Sequence, residues 1–252
     1  AAAPDYESPA DDGAGNVYDI TIAFSDGTND LAAQTTAVTV TDTNDQTPAA
    51  SVSSTYTQAE ATATTFQTYT ITDSDTTGTY TCTLAGTDAA DFTASISGKV
   101  CTVVWAAAPD YDSAADDGGN NVYDITLAFS DGTNDLTAQA SAVTVTDTND
   151  QTPAASVSST YTQAEAASTA WQAFTITDSD TTGTYTCTVA GTDSADFSSS
   201  ISGKVCTIAW AAAPDYESPA DDGAGNVYDI TIAFSDGTND LAAQTTAVTV
   251  TD

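Results

Sequence analysis

The 42 residues Ala1–Asp42 return without a change at Ala211–Asp252 and in altered form at Ala106–Asp147, so the chain repeats with a period of 105 residues. Self-similarity at that period describes a tandem array in which each copy is a small domain of its own. The middle copy differs from the two outer ones. A longer unit of two repeats, a recent duplication and an alternating unit in a polymer all generate this order. The chain contains no Met, and it starts and stops inside a copy. It therefore reads as an excerpt of a longer polypeptide: residues 1–45 close one repeat, 46–150 form a complete one, and 151–252 form another that lacks its exit linker.

Within 46–150 the apolar residues alternate with small or polar ones. Tyr123, Ile125, Leu127 and Phe129 share one face of "VYDITLAFS", the period of a half-buried strand. The same spacing sets Tyr80, Cys82 and Leu84, then Cys101, Val103 and Trp105, then Tyr69 and Ile71, then Val143 and Val145, each on one face. Threonine fills many of the opposite positions, where a β-branched polar side chain suits an exposed pleat. Gly and Asp turns such as "SDGTND" separate the short runs, and helix signals are nearly absent. The expected fold is all-β: tandem seven-stranded Greek-key sandwiches of the immunoglobulin-like type.

Each complete repeat has two cysteines, Cys82 with Cys101 and Cys187 with Cys206, and the alternation turns both members of each pair inward. A disulfide within the repeat is the simple reading and implies an oxidising, extracellular setting. Two buried free thiols are the alternative. A thiolate metal site is disfavoured by the absence of His and the presence of only two thiols per repeat.

Thirty-six acidic residues face two Lys and no Arg or His, a formal charge of −34. That excess repels nucleic acid and anionic membranes and makes cations the natural partners. Disorder, the other reading of such a charge, is countered by the strict apolar patterning. No apolar run in the excerpt is long enough to span a bilayer.

The acids fall in particular loops. If the strands alternate direction from the incoming linker, Glu60, Asp110, Asp112, Asp147 and Asp150 lie at the bottom of one sandwich. Asp178, Asp180 and Asp236 lie at the top of the next. Eight carboxylates at one boundary repel unless a cation bridges them, and an all-oxygen site suits Ca2+ better than Mg2+, which holds to strict octahedral geometry.

These motifs resemble the cadherin repeat across the whole chain. "DTNDQTP" at Asp42 to Pro48 and Asp147 to Pro153 is similar to the cadherin linker, "TITDSDTTG" to its Asp-x-Asp loop, and "PDYE" or "PDYD" to its Asp-Arg-Glu. "QAEA" at Glu60 and Glu165 takes the place of its early Glu, and "AFSD" at Asp26, Asp131 and Asp236 that of its strand-F Asp. The resemblance implies two to three Ca2+ ions at each domain junction, stiffening the array. For the first junction it implies Asp5, Glu7, Asp42, Asn44, Asp45, Gln46, Asp73, Asp75 and Asp131 as the ligand set. For the second it adds Asn149 and Gln151 to the eight carboxylates above, and Asp215, Glu217 and Asp252, with Asp26 and Glu165, belong to outer junctions. Asn44 and Asn149 match a position that coordinates through its main-chain carbonyl. Gln46 and Gln151 stand where the family has Asn, a longer arm at the third ion.

The near-identical, Lys-poor repeats also resemble microbial surface proteins that carry cadherin-like domains. Further copies of the same repeat are then the expected partners, in a stalk or filament at the cell surface. An adhesin module binding another cell or a glycan is the alternative reading. Without His, and with its cysteines paired, the chain does not assemble the usual nucleophile and base, so an enzyme is not expected. Asp11, Asp12, Asp116 and Asp117 read as solvated turn residues with an added cation site as the alternative, the three Trp chiefly as core with sugar stacking as the alternative, and Lys99 and Lys204 as equivalent positions that could otherwise form an isopeptide bond.

Overall fold

The structure, a computed structural model, describes residues 3–60, 63–165, 168–223 and 225–252. The chain divides into two compact units, Ala1–Thr146 and Asp147–Asp252.

The first unit opens with an antiparallel hairpin, β1 (Val17–Ser25) and β2 (Asp30–Thr39). Seven strands follow: β3 (Thr55–Ala59), β4 (Thr65–Thr70), β5 (Thr81–Ala85), β6 (Phe92–Ser97), β7 (Val100–Trp105), β8 (Val122–Ser130) and β9 (Gln139–Thr146). They form a four-stranded sheet in the order β3-β9-β8-β5 and a three-stranded sheet in the order β4-β7-β6. All pairings are antiparallel except β3 with β9, the first and last strands of the sandwich, which run parallel.

The second unit repeats this plan with β10 (Thr160–Ala164), β11 (Ala170–Thr175), β12 (Thr186–Ala190), β13 (Phe197–Ser202), β14 (Val205–Trp210), β15 (Val227–Ser235) and β16 (Asp240–Thr251). Its sheets are β10-β16-β15-β12 and β11-β14-β13, again with first and last strands parallel.

The alternation read from the sequence is the alternation of burial. Tyr123, Ile125, Leu127 and Phe129 on β8, with Val143 and Val145 on β9, face Tyr69, Ile71, Cys101, Val103 and Trp105 across the sandwich. The Trp105 ring lies 4.1 Å from that of Phe92 and meets the Tyr123 ring edge-on at 4.9 Å. Its indole Nε1 donates to Gln58 Oε1 at 3.3 Å, so the ring is buried with its polar atom satisfied. Trp210 repeats this packing against Phe197 and Tyr228, and Trp171 packs half-buried against Tyr161 and Phe197.

Both disulfides form, Cys82–Cys101 and Cys187–Cys206, each across 19 residues with Cα atoms about 6 Å apart at 6.0 and 5.9 Å. Each joins the two sheets of its sandwich, β5 to β7 and β12 to β14. Closing a loop of this length removes about 3 kcal/mol of freedom from the unfolded chain. Reduction is therefore expected to lower the denaturant midpoint of both units by that equivalent, measured on the same sample before and after a reductant. An unchanged midpoint would contradict this account.

The hairpin β1–β2 shows what the rest of the sandwich supplies. Residues 1–42 and 211–252 are identical. Phe234 and Ile232 are 2% and 0% exposed under their neighbouring strands, whereas Phe24 and Ile22 on the lone hairpin are 55% and 40% exposed. The sequence sets the strands and their register, and β10 and β12, which flank β16 and β15, with the facing sheet account for the difference in burial.

Candidate metal centre

Two acidic turns and the segment between β2 and β3 meet in the first unit. The chain leaves β2 through Asp42 and crosses to the turn after β4, which carries Asp73 and Asp75. Asp42 Oδ2 accepts from the main-chain N–H of Thr76 at 2.7 Å and of Thr77 at 3.1 Å, and from the Thr76 hydroxyl. These donors, the Thr76 hydroxyl foremost, hold the Asp42 carboxyl below its ordinary range. Two residues past Asn44, the main-chain N–H of Gln46 donates to Asp75 Oδ2 at 2.8 Å. Asp75 is 1% exposed. The main-chain N–H of Asp75 donates in turn to Asp73 Oδ1 at 3.1 Å, which fixes the Asp-x-Asp turn.

Asp131 closes the arrangement from the end of β8. Its Oδ1 accepts from Thr133 N at 2.8 Å and Asn134 N at 2.7 Å, so the strand-F Asp caps the Gly-Thr-Asn turn. Burial raises its carboxyl, but the donors from Asn134 and Thr133 prevail and the net shift is downward. The Asn44 side chain donates to the Asp131 carbonyl at 3.3 Å and to Thr133 Oγ1 at 3.2 Å. Asn134 donates to the Gln46 carbonyl at 2.9 Å.

What these hydrogen bonds leave over is the informative part. Glu7, Asp42 and Asp75 each offer a carboxylate oxygen, and the three lie within 4.8 Å of one another; Asp73, Asp75 and Asp131 form a second such group that shares Asp75. Glu7 Oε1, Asp42 Oδ1 and Asp75 Oδ1 are buried and accept no hydrogen bond. A buried carboxylate oxygen without a donor is costly, and a shared cation is what satisfies several at once. Burial pushes the Glu7 carboxyl up, and Asp42 and Asp75 beside it push the same way. The donors are all oxygen and all hard, a set that fits Ca2+.

The other expected ligands fall into place with differing strength. Glu60, Asp110 and Asp112 gather within 4.8 Å in the first unit, with Glu60 Oε2 accepting from Tyr111 N at 2.6 Å. Glu165, Glu217 and Asp252 do the same in the second, with Glu165 Oε2 accepting from Tyr216 N at 3.0 Å. Asp147, Asn149, Asp150, Gln151, Asp178, Asp180 and Asp236 repeat the local bonding of their counterparts 105 residues earlier. Thr181 and Thr182 donate to Asp147 Oδ2, Gln151 N donates to Asp180 Oδ2, and Asn239 and Thr238 cap on Asp236. Asn149 lays its amide against Asp180 and Asp236.

Asp5 accepts from Glu7 N and Ser8 N, Asp110 and Asp215 each accept from the Ser three residues on, and Asp26 caps the β1–β2 turn. The side-chain amides of Gln46 and Gln151 donate to their neighbours Asp45 and Asp150, at 2.8 and 2.7 Å.

Three features escape a reading of the sequence. Asp88, in the loop after β5, is 4% exposed and accepts from Asp117 N and Asp124 N, both at 2.7 Å. Asp116 is 6% exposed rather than solvated, because its carboxylate accepts from the main chain of Asn120 and Asn121 and organises the turn before β8. Asp193 and Asp221 repeat both in the second unit. The third is Lys99, whose Nζ donates to the main-chain carbonyl of Asp73 at 3.0 Å. Asx spacing ahead of Gly and Asn hints at the Asp116 turn; nothing local marks Asp88.

The chain is similar to several solved structures. It superposes on the Protocadherin GammaB4 extracellular domain with a TM-score of 0.68 at 19% identity, over 97% of this chain and 38% of that one. The fold is cadherin-like. Mouse clustered PcdhgC3 EC1-3 gives 0.63 at 18% identity over 94% of this chain and 77% of that one. Human Protocadherin-24 EC1-2 gives 0.60 at 16% over 82% and 100%. The chain spans only 38% to 59% of the length of several of the protocadherin structures it resembles. No protein-family model and no curated protein matches the sequence. Among the described residues, no helix is long and apolar enough to cross a membrane.

Proposed function

We propose that the chain is part of a calcium-binding extracellular array whose cadherin-like repeats serve as a structural stalk or filament, with further copies of the same repeat as partners. The observation that carries this reading is the convergence of Glu7, Asp42 and Asp75 within 4.8 Å, with one buried, donorless oxygen on each. Asp75 also belongs to the group with Asp73 and Asp131, so its carboxylate would serve both groups if each held an ion. Within the second unit, Asp147, Asp180 and Asp236 repeat the hydrogen bonding of Asp42, Asp75 and Asp131.

The proposed stoichiometry is two to three ions per set. The disulfides support an extracellular setting. Repetition of the acidic set at every copy favours a mechanical role over a substrate cleft, which needs differently tuned carboxyls at one place.

The test is a calcium titration by calorimetry on the wild type and on Asp75→Asn. Extracellular modules of this kind bind calcium at roughly 10⁻⁴ to 10⁻³ M. Asparagine keeps an acceptor for Gln46 N but removes the bridging charge, so the sites of the first set are expected to weaken at least tenfold while those of the second remain. Wild-type protein that takes up no calcium at millimolar concentration, or a variant that titrates like it, would overturn the reading.

A further inference from the structure

We infer that Lys99, and Lys204 in the second unit, are positioning residues for the cation-binding turns, and the inference rests on the calcium reading above. They are the only basic side chains among 252 residues, set against 36 acids. A lysine in such a field has many carboxylates to choose from. Lys99 donates instead to main-chain carbonyls, of Asp73 at 3.0 Å and Asp75 at 3.5 Å. Its ammonium lies 5.1 Å from the centre of the Tyr80 ring, and the Tyr80 hydroxyl donates to Asp73 Oδ2 at 3.1 Å. Lysine and tyrosine thus hold the Asp-x-Asp turn through its main-chain carbonyls and Asp73 Oδ2, while Asp75 Oδ1 accepts no hydrogen bond.

The mount is rigid. Lys99 occupies the second position of the two-residue turn between β6 and β7, after Gly98 at φ +58°, a left-handed conformation that glycine adopts at no steric cost. Its carbonyl accepts from Ile71 N at 2.7 Å, and the disulfide-bonded Cys101 follows two residues on. The second unit repeats each element. Lys204 donates to the carbonyls of Asp178 at 2.9 Å and Asp180 at 3.4 Å, lies 5.1 Å from the Tyr185 ring, and Tyr185 donates to Asp178 Oδ2 at 3.0 Å.

Charge and geometry make opposite demands here, which gives the test its sign. A fixed positive charge beside a cation site repels the ion, so removing it without structural consequence would tighten binding. Partners that orient metal ligands, by contrast, lose 10- to 100-fold in metal affinity when removed. Lys99→Met keeps the aliphatic stem and deletes the charge and its donors. It is expected to weaken calcium binding at the first set about tenfold, measured by calorimetry with Ca2+ as the titrant. Lys99→Arg, which keeps charge and donors, is expected to restore most of the affinity.

Thermal unfolding in a chelator, with the disulfides intact, provides the readout independent of calcium, and Lys99→Met is expected to retain a cooperative transition there. Should it fail to fold, Lys204→Met carries the same test in the second unit. Calcium binding as tight as wild type or tighter in these variants would overturn the inference. Absence of calcium uptake by the wild type would overturn the calcium reading itself, so the two failures are distinguishable.

Discussion

Chelating calcium is expected to lower the thermal midpoint of the chain by roughly 12 to 16 °C and to open segments 42–48 and 147–153 to protease. The size follows from mass action. At millimolar calcium and a dissociation constant of about 10⁻⁴ M, each ion bound only by the folded state stabilises it by about 1.4 kcal/mol. Two or three ions then contribute about 3 to 4 kcal/mol, and a domain near this size shifts by roughly 4 °C or more per kcal/mol.

The location follows from the hydrogen bonds. Asp42 is held by Thr76 and Thr77, and Gln46 by Asp75, so the strand-to-strand crossing is tied to the same carboxylates that would hold the ion. Without the ion those carboxylates repel, and the crossing is the first element to loosen. Limited proteolysis with and without a chelator, read by mass spectrometry, checks the sites of cleavage. Identical midpoints and cleavage patterns in the two conditions would count against calcium as the organiser.

Trp105→Ala is expected to unfold the first sandwich selectively, at a cost of about 3 to 5 kcal/mol. The ring is 2% exposed, packs on Phe92 and Tyr123, and bonds Gln58 from its indole nitrogen, so alanine leaves both a large cavity and an unsatisfied amide oxygen. The chain has three Trp, and the two that remain, Trp171 and Trp210, both lie in the second unit. Tryptophan fluorescence of the variant therefore follows the second unit alone, while far-ultraviolet circular dichroism follows both. The expected denaturation has an early transition seen only by dichroism and a later one seen by both probes. A single coincident transition would show that the units unfold together.

Much of this architecture is legible in the residues because burial in a sandwich has a period of two. Tyr123, Ile125, Leu127 and Phe129 announce their strand, and Cys82 and Cys101 announce the link between sheets. The carboxylates that gather, Glu7, Asp42, Asp73, Asp75 and Asp131, are legible too, because their loops recur in a fixed order around each repeat. The parts that are not legible depend on what main-chain atoms do. Asp88 has the local sequence of any surface acid, yet two N–H groups brought from residues 117 and 124 bury it. Lys99 offers no motif, because its partners are carbonyls, which every residue has. Asp116 was expected in solvent for the same reason: the donors that let it be buried belong to the backbone of Asn120 and Asn121. Gln46 was expected among the ligands; its side-chain nitrogen donates to Asp45, a contact between neighbouring residues.

The parallel pairing of the first and last strands bears on how such a chain carries load. Tension applied along the polypeptide enters a sandwich at the start of β3 and leaves at the end of β9, and these strands lie side by side from Thr55 opposite Ala142 to Ala59 opposite Thr146. β10 and β16 are matched in the same way, from Thr160 opposite Ala247 to Ala164 opposite Thr251. Pulling in opposite directions on adjacent parallel strands shears them, so every rung between them is strained at once and none can be peeled first. A hairpin closing the same sheet would instead unzip rung by rung. The topology sets that resistance against force applied through the two ends of each sandwich.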